Sequence, residues 1–170
     1  MKPSIRIRQE HPTDILAIEA LTAAAFLDAP YSSHTEQYIV NALRRKDRLT
    51  LSLVAEEDDA ILGHIAISPV TITGNVSGWS GLGPLSVTPT HQGKGIGTKL
   101  AEEALAQLKR ANGAGCVVLG DPRYYSRFGF RPEPTLVLPD VPAEYFQALA
   151  FRGSIPSGTV SFDAAFDARA

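Results

Sequence analysis

Polar and apolar residues alternate over residues 4–8, which predicts a first strand. Pro12-Thr13-Asp14 opens a helix whose apolar positions include Ile15, Ile18, Leu21, Ala25 and Phe26. Residues 27–34 form a loop with Pro30 and Tyr31, and Thr35 caps a second helix through Tyr38, Ile39, Ala42 and Leu43. That helix ends in Arg44-Arg45-Lys46, read as a solvated basic terminus that complements the helix dipole. Residues 49–55 and 60–73 predict two strands around the acidic turn Glu56-Glu57-Asp58-Asp59, a hairpin. Residues 74–81 read as a turn and 82–87 as the next strand. Ile96, Leu100, Ala101, Ala104, Leu105, Leu108 and Ala111 then recur at helical spacing until Asn112-Gly113. A buried strand follows at 116–119. Asp121 as N-cap and Pro122 at the first helical position open a short helix that Gly129 ends. Beyond Phe130 the chain has five prolines, a strand at 159–162, and a stretch at 143–151 that fits helix or strand equally.

The segment with the most chemistry is Leu85-Ser86-Val87-Thr88-Pro89-Thr90-His91-Gln92-Gly93-Lys94-Gly95-Ile96-Gly97-Thr98. An apolar run stops at a proline, glycines fill alternate positions, and an amphipathic run begins: strand, tight turn, first helical turn. Amides at a helix start have no intrahelical partner and lie at the positive end of the dipole. Glycines there leave the main chain open to a diphosphate. A turn that only connects two elements does not require three glycines. The spacing of a P-loop is absent. A dinucleotide fingerprint would need glycine where Thr98 stands, with Asp121 as its later acidic residue; a dinucleotide-binding oxidoreductase is thus a remote alternative. Gln92-Gly93-Lys94-Gly95-Ile96-Gly97 fits a third template, Q/R-x-x-G-x-G/A, at every fixed position.

That template is the acetyl-coenzyme A motif of the GCN5-related N-acetyltransferases (GNAT), and the chain resembles this family. Tyr124-Tyr125-Ser126-Arg127-Phe128-Gly129-Phe130 resembles the family's aromatic-Tyr-x-x-aliphatic-Gly-Phe signature, in the right order after the glycine motif. With Gly120-Asp121-Pro122-Arg123 before it and Leu82-Gly83-Pro84 ahead of the glycine motif, it looks most like the YhbS-like branch. The resemblance implies an α+β fold in α/β/α layers, a mixed central sheet with helices on both faces. It implies a single N-acetyltransferase domain over residues 1–170, with a core at about 5–130 and a Pro-rich part at 131–170 completing the sheet and the acceptor side. The implied reaction moves an acetyl group from acetyl-CoA to a primary amine, of a small molecule or a peptide, by direct attack in a ternary complex.

By the same resemblance, the backbone of Leu85, Ser86 and Val87 pairs with the pantetheine arm and polarises the thioester carbonyl. Gln92, Gly93, Lys94, Gly95, Ile96, Gly97 and Thr98 hold the diphosphate, and Tyr125 is the general acid for the departing thiolate. Two departures matter. The asparagine that many members place before the tyrosine meets a shortened Gly120-Asp121-Pro122, and Gly83-Pro84-Leu85-Ser86-Val87 offers no carboxylate base. His64 on a middle strand, Asp28, His34 or a water are the substitutes. Alternation sets His64 on the face opposite Ile65 and Ile67, where a satisfied structural or surface histidine is the simpler reading. A non-catalytic acyl-CoA-binding sensor is the alternative that these departures leave open.

Composition adds bounds. A chain of 170 residues reads as one domain with a substantial core, and a net charge of -2 with scattered charges argues against nucleic acid as a partner. The single cysteine, Cys116, excludes an internal disulfide and reads as a buried thiol. The four histidines have no partners at metal-ligand spacing, so no metal is expected. No apolar run reaches membrane-spanning length and the polar start is no signal peptide, so a cytoplasmic location is expected, with a homodimer left open.

Overall fold

The computed structural model describes residues 4–30 and 32–170; Tyr31 of the predicted loop lies outside the described residues. The chain divides into two compact units, residues 1–67, 84–104 and 164–170 in one and 68–83 and 105–163 in the other.

In the first unit, β1 (Arg6–Gln9), β2 (Leu51–Glu57) and β3 (Ala60–Pro69) form an antiparallel run, with Arg8 opposite Val54 and Val54 opposite His64. The hairpin between β2 and β3 turns on Asp58 and Asp59 at φ 50° and 64°. Two consecutive left-handed residues match the twist of the flanking strands, and aspartate tolerates that conformation better than most residues. A 3-10 turn at Pro12–Asp14 leads into α1 (Ile15–Phe26), and α2 is Glu36–Arg45. Ile18 of α1, Val40 of α2 and Val54 pack together on one sheet face. Gly63 lies on the other face, where a Cβ would come within 2.9 Å of Leu100 in α3 (Ile96–Arg110). Only glycine lets α3 approach so closely. Helices thus cover both faces, as expected.

Thr35 stands at the N-cap of α2 as predicted, yet its side chain makes no capping bond; Ser33 and Arg169 bond it instead. Arg44 is also not the solvated residue expected, because Glu10 draws its guanidinium inward.

In the second unit, the first half of β5 (Trp79–Val87) pairs in parallel with β6 (Gly115–Leu119), and β6 pairs antiparallel with β8 (Phe146–Ala150). A separate small sheet has the order β4 (Thr71–Ile72), β9 (Gly158–Ser161), β7 (Leu136–Val137). Val70, Ile72, Trp79, Val117, Leu136, Phe146, Ala148 and Val160 form its core.

Three expectations change here. The turn predicted over 74–81 is shorter, because β5 already starts at Trp79. That indole is 5% exposed and lies where a Cβ on Gly115 would be 2.4 Å from its ring. The strand predicted over 60–73 breaks after Pro69, and Thr71–Ile72 joins the small sheet instead. The ambiguous 143–151 stretch is a 3-10 turn followed by β8, a strand because the free edge of β6 supplies its hydrogen bonds.

Candidate functional site

The glycine motif forms the turn and helix start that its sequence predicts. After β5, a 3-10 turn at Pro89–His91 is closed by the His91 amide donating to Thr88 O at 2.9 Å. Gln92 Nε2 donates to Val87 O at 3.0 Å, so this side chain fastens the turn to the strand it leaves. Gly93 and Gly95 sit at φ 76° and 86°, and a Cβ on either would meet nothing within 4 Å. Left-handed backbone explains glycine at both positions, and the open space beside them is what a close-approaching ligand needs. Lys99 N donates to Gly95 O at 3.1 Å as α3 begins, and the amides of Gly93, Lys94, Gly95, Ile96 and Gly97 come ahead of it. Buried Ile96 and Leu100 anchor the helix, which leaves residues 92–95 exposed. Thr98 lies in the first helical turn. These residues fit a diphosphate: consecutive amides at a dipole's positive end, no side chain in the way, and Lys94 beside them.

Parallel pairing of β5 to β6 runs only from Trp79 to Leu82. Gly83 follows at φ 135°, then Pro84, which has no N–H to donate. At its far end β5 pairs with β3, since Thr88 N donates to Leu62 O at 2.8 Å. Continued antiparallel from Thr88 opposite Leu62, the ladder sets Gly63 opposite Val87, His64 opposite Ser86 and Ile65 opposite Leu85. Alternation from the Thr88–Leu62 bond turns the amides of Leu85 and Val87 away from β3 and that of Ser86 toward it. In that register the amides of Leu85 and Val87 are not used by β3. Ser86 is 2% exposed, and its hydroxyl has no partner among the described residues.

In the second unit, Asp121 caps α4 (Pro122–Tyr125) by accepting from Arg123 N at 2.9 Å and pairs with the Arg123 guanidinium. Gly129 at φ 97° ends the segment that follows. Tyr125 lies against Gly120, where a Cβ would be 2.5 Å from its ring, and packs edge-on to Tyr124 and Phe130 at 5.0 and 6.0 Å. Burial, with smaller contributions from Tyr124 and Cys116, pushes its phenol above the ordinary tyrosine range. The hydroxyl is thus a protonated donor at neutral pH. Cys116 is fully buried as expected, and burial pushes its thiol up, which keeps it protonated and unreactive.

His64 is neither at the surface nor fully satisfied. It is 0% exposed, and its Nε2 lies 2.8 Å from Ser52 Oγ. Ser52 in turn donates to Glu10 Oε1, and Arg44 donates to both Glu10 oxygens at 2.8 Å. No short-range pattern announces this cluster; a histidine on β3 and a lone serine on β2 are its traces in the sequence. Burial first, then Arg44, moves the His64 ring from 6.5 to about 4, with Glu10 opposing. The folded ring therefore stays neutral where the unfolded chain already takes a proton. Stability is full above about pH 6.5 and falls as pH drops from there to about 4, by about 3 kcal/mol in all. Glu10, held below its ordinary 4.5 by Arg44 and Ser52 against the opposing effect of burial, contributes above that pH and loses its contribution only at lower values. Urea midpoints at pH 7 and pH 5 should differ by about 2 kcal/mol in unfolding free energy. Equal midpoints would show that the ring is not held neutral.

With this geometry in place, relatives define the class. A protein-family model for the acetyltransferase (GNAT) domain matches residues 49–132. YhbS, an uncharacterized N-acetyltransferase of Escherichia coli (strain K12), is 40% identical over 125 residues, covering 73% of this chain and 72% of that one. The chain belongs to the GNAT acetyltransferase family. Among solved structures, a GNAT family acetyltransferase from Brucella melitensis in complex with acetyl-CoA is 52% identical. It superposes with a TM-score of 0.87 over 96% of this chain and 99% of that one. The E. coli YhbS structure in complex with CoA is 32% identical, with a TM-score of 0.86 over 98% of this chain and 94% of its own. These neighbours bear out the mixed-sheet α+β fold and leave the remote oxidoreductase reading without support.

Proposed function

We propose that this chain is an N-acetyltransferase that binds acetyl-CoA and moves its acetyl group to a primary amine by direct attack in a ternary complex. The observation that carries this reading is the glycine cradle: Gly93 and Gly95 left-handed, open on the side a Cβ would fill, ahead of α3. Relatives bound to acetyl-CoA and CoA support the choice of cofactor. Acetyl-CoA supplies an acetyl group activated as a thioester. In this reading the amides of residues 93–98 hold its diphosphate, and those of Leu85 and Val87 hold the pantetheine arm and polarise the carbonyl. Tyr125 keeps a proton on its hydroxyl for the departing thiolate. The whole chain acts as one catalytic domain. Small-molecule and peptide amines are the acceptor class, and the cytoplasm is the place of action. No helix among the described residues is long and apolar enough to cross a membrane.

Acetyl-CoA or CoA at about 100 times its dissociation constant should stabilise the protein by about 2.7 kcal/mol, read as a melting shift, and NAD should give none. A shift with NAD alone overturns the reading. Thiol release from acetyl-CoA in the presence of amine pools then identifies the acceptor. Binding without release on any amine would favour the sensor, which the missing carboxylate on residues 83–87 motivates.

A further inference from the structure

The Glu10–Ser52–His64 cluster fixes which nitrogen of His64 carries the proton. Glu10 is held below its ordinary range by Arg44 and Ser52, so its carboxylate only accepts. Ser52 has one hydroxyl proton and gives it to Glu10 Oε1. At the 2.8 Å contact with His64, the serine oxygen must therefore accept, and His64 must donate from Nε2. A neutral imidazole protonated at Nε2 has a lone pair at Nδ1. That atom is buried without a partner among the described residues, and so is the hydroxyl of Ser86. Register places these two residues opposite each other on β3 and β5. An orphan acceptor thus faces an orphan donor.

The polar groups form a stripe across four neighbouring strands, from Glu10 just after β1 through Ser52 and His64 to Ser86. We propose that His64 is a positioning residue for the cofactor strand: its Nδ1 accepts from the Ser86 hydroxyl, directly or through one buried water. It thereby couples the backbone at Leu85 and Val87 to the Arg44–Glu10 ion pair. A rotation of the serine hydroxymethyl group or one enclosed water completes the bond, and buried polar pairs ordinarily find such a partner. The chain bears the cost of a buried imidazole because the stripe holds Ser86, and with it the two outward amides beside it, in one place. The proposal rests on the reading of Leu85 and Val87 as cofactor amides.

The test uses the full chain, with acetyl-CoA affinity measured by calorimetry and His64 followed by nitrogen-15 NMR. His64→Leu and Ser86→Ala should each weaken acetyl-CoA binding about tenfold, and the double variant should be no weaker than either alone. His64→Leu should melt no lower than the parent, since it removes a buried polar ring; if it fails to fold, Ser86→Ala and the spectra decide. The spectra should show the Nε2-protonated form at neutral pH and a changed Nδ1 shift in Ser86→Ala. Nδ1 protonation, an unmoved Nδ1 shift, or independent losses in the two variants overturns the proposal. A parent protein that binds no acetyl-CoA refutes the proposed function, and the spectra still decide whether His64 and Ser86 are joined. A crystal structure with density between them, or with the two in direct contact, separates the water-bridged from the direct form.

Discussion

Tyr125→Phe should lower turnover on an accepting amine by about 10²–10⁴ while acetyl-CoA binds as before. The substitution keeps the ring that rests on Gly120 and packs edge-on to Phe130, so the local fold loses nothing but one oxygen. What it removes is a hydroxyl that carries its proton at neutral pH, as any tyrosine does, and that burial holds above the ordinary range. If that proton goes to the departing thiolate, the loss falls on the transition state and spares the ground state. Single-turnover thiol release gives the first quantity and calorimetry the second. Unchanged turnover would mean that the thiolate leaves without help and that Tyr125 only packs. Equal losses in affinity and turnover would place the hydroxyl on the bound cofactor rather than on the reaction.

Gly95→Asp should abolish acetyl-CoA binding. Gly95 sits at φ 86°, and a Cβ there would project into open space where the proposed diphosphate lies. A carboxylate about 4 Å from a phosphate in a site of intermediate polarity costs about 4 kcal/mol, close to a thousandfold in affinity. Aspartate tolerates left-handed backbone better than most residues, so the fold should survive. Gly74→Asp is the matched control: φ is 90°, the space is equally open, and the residue lies outside the motif. It should bind like the parent. Calorimetry on both variants, with melting curves to confirm folding, separates the electrostatic effect from backbone strain. Parent-like affinity in Gly95→Asp would put the phosphate cradle elsewhere.

Local chemistry was enough to read much of this protein from its residues. The Asp121 cap, the stop at Gly129 and the glycine turn each depend on a few consecutive residues and form as predicted, while the acidic turn predicted over 56–59 narrows to Asp58-Asp59 because β2 runs on to Glu57. Their determinants are a φ sign, a missing N–H or a side chain reaching its own neighbours. Where strand and helix propensities balanced, as over 143–151, the choice waited on the open edge of β6. Where glycines diluted the pattern, as around Trp79, packing against Gly115 extended a strand that composition had cut short. Arg44 looked like a solvent-facing helix end until Glu10, thirty-four residues away in the chain, turned it inward. The polar stripe through Ser52, His64 and Ser86 was the least legible feature. Its residues lie on separate strands, and a hydrogen bond between distant segments leaves no period in the sequence. Sequence alone thus determined the family and the left-handed glycine turn ahead of α3, because each is written in contiguous residues. Tertiary structure alone decided that His64 is buried beside Ser52 and that Glu10 joins them, because both depend on register, which is a property of paired strands.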